Sequence, residues 1–332
     1  MRARHVLPSM LCIVYVTAVG ALLGTIGLLV ERLLPPAAPR RWIWLTIIPV
    51  SMFVPGYYRY HHNWSVTGAL EHHAANPTGS AVQSSSFALL DPAWWSTIRD
   101  CDPIINKLWI ITSGLLLIWG LVNAMRVSEI IGTSTRDDDT GDPIIDGVRV
   151  VVTEQVGPAT VGLLRSHLLV PRWVLALPRT ERGYVLRHED EHRRAHDAHL
   201  LFIASLPLLL MPWNAAMWWL LRRLCLAVEM DCDNRVVSRL GNANAYGELL
   251  LKVAEAASRG PRLQPAFLGS GMLEKRLSAL VAPEPLRAMQ RFLLPAAALA
   301  LFCVVLWMPH PIVGTGSHAH RADATTTVAR QH

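Results

Sequence analysis

His188-Glu189-Asp190-Glu191-His192 and, thirty-seven positions after its last histidine, Glu229-Met230-Asp231-Cys232-Asp233 are the two runs from which the rest of this 332-residue chain is read. On a helix, residues four apart share one face, so His188 and His192 can reach a single ion, with Glu189 between them. Pro178 followed by Thr180-Glu181 is a helix start with an acid in its first turn, and Tyr184, Val185 and Leu186 give the helix a face to bury. Glu229 supplies a third ligand, which makes a His₂Glu site with one position left for water. Cys232, three residues on, competes for that third place; Glu229 is preferred because Asp233 completes an E-x-x-x-D pattern with it.

Between the two runs lies an apolar stretch, 199–221, long enough to cross a bilayer. A single crossing would part His192 and Glu229 by about 30 Å. Ligands of one ion must instead sit about 2 Å from it. Pro207 interrupts the stretch and Pro212-Trp213-Asn214 reads as a turn, so the expectation is a re-entrant helical hairpin over 199–228. A helix over roughly 222–240 follows, carries Glu229 and Asp233, and stops near Gly241. Upstream, 148–152, 158–162 and 168–171 read as extended segments of a small sheet whose edge can take a peptide strand. Residues 245–285 have helical character.

Composition places this unit in a membrane. Hydrophobic residues make up 52% and charged residues 17%, beyond the range of an ordinary soluble domain. Spans are expected at about 6–30, 42–58, 104–125 and 291–309. The linker 31–41 and the region 126–291 are rich in arginine, which puts them on the cytoplasmic side and the loop 59–103 outside. The net charge of +6 suits a surface facing anionic lipid. No basic patch is interleaved with aromatics, so direct nucleic-acid binding is not expected. The histidines at 61, 62, 72 and 73, the acidic run 137–139 in the linker 133–147, and the histidines of the polar tail 310–332 read as loop residues. Five scattered cysteines give no disulfide framework.

Four pieces together resemble the BlaR/MecR-type family of integral-membrane zinc peptidases: 161–165 with Leu168-Leu169-Val170-Pro171, the run Arg187 to Asp197, Pro212-Trp213-Asn214, and Glu229 to Val236. The resemblance implies a mainly α membrane protein with an embedded α+β gluzincin-type zinc peptidase domain over 126–290, facing the cytoplasm of a bacterial inner membrane. Zn²⁺ is the implied cofactor, held by His188, His192 and Glu229. Glu189 is the implied base, and Asp233 the partner of a ligating histidine, most directly His188. His196 and His199, read as following on the same helix, are surface residues in this picture. The implied partner is a protein substrate, a winged-helix repressor of the BlaI/MecI type, with a homodimer compatible. Two departures stand out. Ser166-His167 occupies a place where a basic residue and proline are usual, and about twenty residues follow the last span, so no penicillin-binding sensor is expected there. The rival readings are a membrane quality-control or CAAX-type zinc protease and a non-catalytic zinc-binding anchor.

Overall fold

The computed structural model describes residues 9–35, 38–54, 92–134, 143–154, 156–162, 166–257, 271–281 and 288–307. Helices dominate. Two enter first, α1 (Ser9–Leu33) and α2 (Arg41–Val54), followed by the long α3 (Pro92–Ser134). Five short strands come next: β1 (Ile144–Ile145), β2 (Val148–Arg149), β3 (Val151–Thr153), β4 (Ala159–Val161) and β5 (His167–Pro171). The chain then runs through α4 (Arg172–Leu175), α5 (Arg179–Arg194), α6 (Asp197–Leu210), α7 (Ala215–Leu240), α8 (Ala243–Ala257), α9 (Met272–Val281) and α10 (Ala288–Trp307). β1 and β2 form a hairpin, and the second sheet has the order β3-β5-β4, with β3 parallel and β4 antiparallel to β5.

Among the described residues, three helices are long and apolar enough to cross a membrane, over Cys12–Leu33, Cys101–Gly132 and Met289–Trp307. Ile110, Leu115 and Ile118 on α3, and Phe292, Leu299 and Trp307 on α10, expose 55% or more of their surface. Water does not tolerate so continuous an apolar surface, whereas lipid does. The chain is a membrane protein. The second expected span, 42–58, corresponds to the shorter α2, whose fourteen residues extend about 21 Å; residues 55–58 lie outside the described part. The loop expected over 59–103 is corrected at its end, because 92–103 already belong to α3; 59–91 and 310–332 are not among the described residues.

The run between the two motifs turns back on itself. α6 ends at Leu210 and α7 starts after Asn214, whose side chain accepts from the N–H of Met217 at 3.1 Å. The carbonyls released by the turn find indole donors: Trp109 of α3 donates to Leu210 O at 2.6 Å and Trp218 to Pro212 O at 2.8 Å. Apolar surroundings satisfy no backbone group, so these side chains do it. α7 then runs unbroken to the left-handed Gly241 and joins the hairpin's second arm to the helix expected over 222–240, because nothing between Asn214 and Gly241 breaks a helix. The strand expected over 148–152 is likewise divided into β2 and β3 at Val150, whose N–H bonds to Pro143 O at 3.1 Å.

Close approach to α1 fixes α7. A Cβ on Gly24 would lie 2.1 Å from the Trp219 ring, and one on Gly27 would lie 2.4 Å from Ile47 of α2. Trp44 and Ile48 of α2, Ala204 and Leu208 of α6, and Met217, Leu220, Leu224 and Val228 of α7 form the largest buried cluster. A second cluster joins the sheet to α5 through Val150, Leu168, Val170, Val185 and Leu186. Each motif helix is thus packed against a buried cluster of its own.

Candidate metal centre

α5 and α7 cross with their polar residues facing one another. The middle acids of the first run are no solvated face: Glu189, Asp190 and Glu191 are 7%, 1% and 3% exposed. Burial of such charges requires partners. Asp190 pairs with Arg193 (2.5 Å) and Arg194 (2.6 Å), and Glu191 with Arg235 (3.3 Å) and Arg239. The frame around the histidines is therefore rigid.

The two imidazoles meet edge to face with centroids 4.7 Å apart. Their Nε2 atoms are 3.2 Å apart, and the Glu229 carboxylate stands 3.5 Å from His188 Nε2 and 3.7 Å from His192 Nε2. Ligands at about 2.0–2.1 Å in a tetrahedron stand about 3.3 Å from one another. The carboxylate meets the two rings through different oxygens, Oε2 at His188 and Oε1 at His192, so the three groups approach the ligand spacing of a tetrahedral zinc site, and two imidazoles with a carboxylate suit that ion. Cys232 lies on the other edge of His188, with Sγ 3.3 Å from Nδ1. Among the described residues, ligand atoms of His188, His192 and Cys232 also lie within 4.8 Å of one another, so a His-His-Cys set is available as well.

The outer ring nitrogens are held in turn. His192 Nδ1 donates to Asp197 Oδ2 at 2.8 Å. His188 Nδ1 lies 2.9 Å from the Tyr246 hydroxyl, which donates to Asp233 Oδ1 at 2.7 Å. Asp233 itself is 3.5 Å from His188 Nδ1, within ion-pair reach, and the Tyr246 hydroxyl bridges the same two groups from the side. Arg276 of α9 grips Asp233 at 2.7 and 2.8 Å and Glu229 at 2.9 Å. Glu189 accepts from Thr160 of β4, at its carbonyl (2.7 Å) and at Oε2 (3.3 Å).

These contacts set the protonation of the metal-free centre. Burial pushes the His188 imidazole down, but Cys232 and Glu229 outweigh it and hold it up to about 10. Burial likewise opposes His192, and Glu229 with Asp197 raises it well above its ordinary value. Burial would raise the Glu229 carboxyl, yet Arg276 and the two imidazoles hold it well below the carboxylate range. Cys232 is lowered by the same rings against its burial. An anionic shell thus surrounds two nitrogen lone pairs, for which protons and a divalent cation compete.

α2 also reaches this centre. The N–H groups of Arg40 and Arg41 donate to the Asp231 carboxylate at 3.0 and 3.1 Å, which caps α2 from α7. The Arg41 guanidinium meets Asp197 at 2.7 Å. Arg41, Tyr246 and Arg276 carry no mark in the sequence, since their contacts join distant elements; Asp197 ends the run Arg187 to Asp197, five residues after His192, but receives no role there. His196 is corrected: α5 ends at Arg194, and His196 takes a left-handed turn conformation (φ 56°) before α6, its ring beside His199 at 5.6 Å.

A family model described as BlaR1 peptidase M56 matches residues 10–280. The regulatory protein BlaR1 of Bacillus licheniformis is 26% identical over 111 residues, which are 33% of this chain and 18% of that relative. The match thus spans less than a fifth of the relative's length. No solved structure matches.

Proposed function

We propose, from the premise that the chain belongs to the BlaR1 peptidase M56 family, that it is a multi-pass zinc endopeptidase of gluzincin type which cuts a protein substrate inside the cell. The observation that carries this reading is the convergence of His188 Nε2, His192 Nε2 and the Glu229 carboxylate at 3.2–3.7 Å. Zinc, when bound there, supplies Lewis acidity toward a carbonyl and lowers the pKa of a water. Glu189 takes the proton of the attacking water and passes it to the departing amine. Asp197 and the Tyr246–Asp233 pair keep the outer nitrogens of the two rings protonated, so that Nε2 stays a lone-pair donor. Arg276 fixes the Glu229 carboxylate.

β4 pairs with β5 along one side, and Thr160 on it touches Glu189. A substrate strand added to the other side of β4 brings its peptide group beside that carboxylate. The α6–α7 hairpin dips into the bilayer and returns to the cytoplasm, where the substrate is a winged-helix repressor of the BlaI/MecI type. Co-expression with such a repressor tests the reading: the wild type should cut it, and Glu189→Ala should keep zinc and fold while cleavage drops by at least about 10²-fold. Cleavage at the wild-type rate in that variant contradicts the mechanism.

A further inference from the structure

We propose that Thr160 is the positioning residue of the general base: its hydroxyl holds one oxygen of the Glu189 carboxylate, so that the other oxygen receives the proton of the attacking water. The assignment rests on the peptidase reading and adds to it a residue outside both motif runs.

The register of the small sheet aims the hydroxyl. Thr160 of β4 stands opposite Leu168 of β5, and residues directly opposite in paired strands project from the same face. Leu168 and Val170 pack with Val185 and Leu186 of α5, so that face looks at α5. Glu189 follows Val185 by four residues and Leu186 by three, which puts it on the sheet-facing stripe of the helix. His188 and His192 meet Glu229 of α7 instead. One helix thus presents its two ligands to α7 and its base to the sheet.

A single hydroxyl meets two acceptors of the same residue. It donates to the main-chain carbonyl of Glu189 at 2.7 Å and to Oε2 at 3.3 Å. The shorter bond fixes where the hydroxyl stands, and the longer one decides how the carboxylate turns. Glu189 is buried, and a buried carboxylate is stabilised by each donor it finds. With Oε2 held by Thr160, Oε1 is the oxygen left for the water's proton. That proton passes from the water to Oε1 and from there to the nitrogen of the departing amine, while Thr160 keeps its own. Misplacing a reacting group by about 1 Å costs about 10²-fold in rate, which is the scale at which such a contact matters.

The place of Thr160 in the chain ties this contact to the substrate. It is the middle residue of β4 (Ala159–Val161), which pairs with β5 along one side. A substrate strand added along the other side bonds to the main chain of that same strand. One short segment then positions both the peptide to be cut and the carboxylate that activates the water.

The purified full chain, loaded with zinc, is assayed on a winged-helix repressor of the BlaI/MecI type. Thr160→Val keeps the shape of the side chain and loses the hydroxyl, whereas Thr160→Ser keeps the hydroxyl. Thr160→Val should retain about one zinc per chain and an unchanged KM, while its kcat falls by about 10–100-fold. Thr160→Ser should recover most of that loss. A second reading needs no turnover. The carboxylate stretch of Glu189, isolated as the infrared difference between a chain and its Glu189→Gln counterpart, should move in Thr160→Val and stay in place in Thr160→Ser. Wild-type kcat in Thr160→Val overturns the proposal. An equal fall in both variants overturns it too, since packing rather than the hydroxyl is then responsible, and so does a carboxylate band that Thr160→Val leaves in place. A wild type that cuts nothing removes the peptidase reading and this role with it, whereas a wild type that cuts only as fast as Thr160→Val removes the role of Thr160 alone.

Discussion

The two nitrogens of His188 face different worlds: Nε2 looks toward His192 and Glu229, and Nδ1 toward Tyr246, Cys232 and Asp233. This division has a pH signature. The metal-free imidazole is held up to about 10, above its ordinary 6.5. Its proton therefore contributes stability that is complete below pH 6.5 and lost as pH rises through about 10. Zinc competes for the same lone pair, so its affinity rises across that interval. Thermal melts should show the metal-free Tm falling from pH 6.5 toward 10, with a smaller fall for zinc-loaded protein. Parallel curves would contradict the shared lone pair. At this scale the sequence was readable where spacing is local: His188, Glu189 and His192 sit within one helix and reveal themselves. Arg276 and Tyr246 do not, because their contacts span 43 and 58 positions and no periodicity marks them.

Among the elements, α2 is the one whose role the sequence concealed. It read as a second span, yet its first turn is capped by Asp231 and its Arg41 holds the carboxylate that orients His192. Asp197→Ala should weaken zinc binding by about 10–100-fold, as loss of such outer partners does. Arg41→Ala should weaken it less but in the same direction, and Arg41→Lys should restore part of it. Chelator competition on the purified chain measures all three. An Asp197→Ala variant that binds zinc like the wild type would separate that carboxylate from the metal. The turn between α6 and α7, by contrast, was legible from Pro212-Trp213-Asn214. The full length of α7 was not: the hairpin's second arm and the helix over 222–240, which overlap in the sequence reading, are one helix between Asn214 and Gly241.

For the molecule as a whole, composition announced a membrane protein, and the bare apolar surfaces of α3 and α10 agree with it. How the centre stands relative to the two sides follows from the hairpin. Single cysteines at Arg194 and Ser238, both exposed, should label from the same side in a chain whose exposed Cys101 and Cys303 are replaced by serine. Labelling from opposite sides would make α6–α7 a true crossing and put Glu229 out of reach of His192.

The central claim is that two histidines of α5 and one acid of α7 hold a single ion, and metal analysis of the purified full chain tests it most directly. The wild type and Glu189→Ala should each carry about one zinc per chain, while His188→Ala and Glu229→Ala lose most of it. Full zinc in Glu229→Ala together with its loss in Cys232→Ala would contradict the account and give the third place to the thiolate.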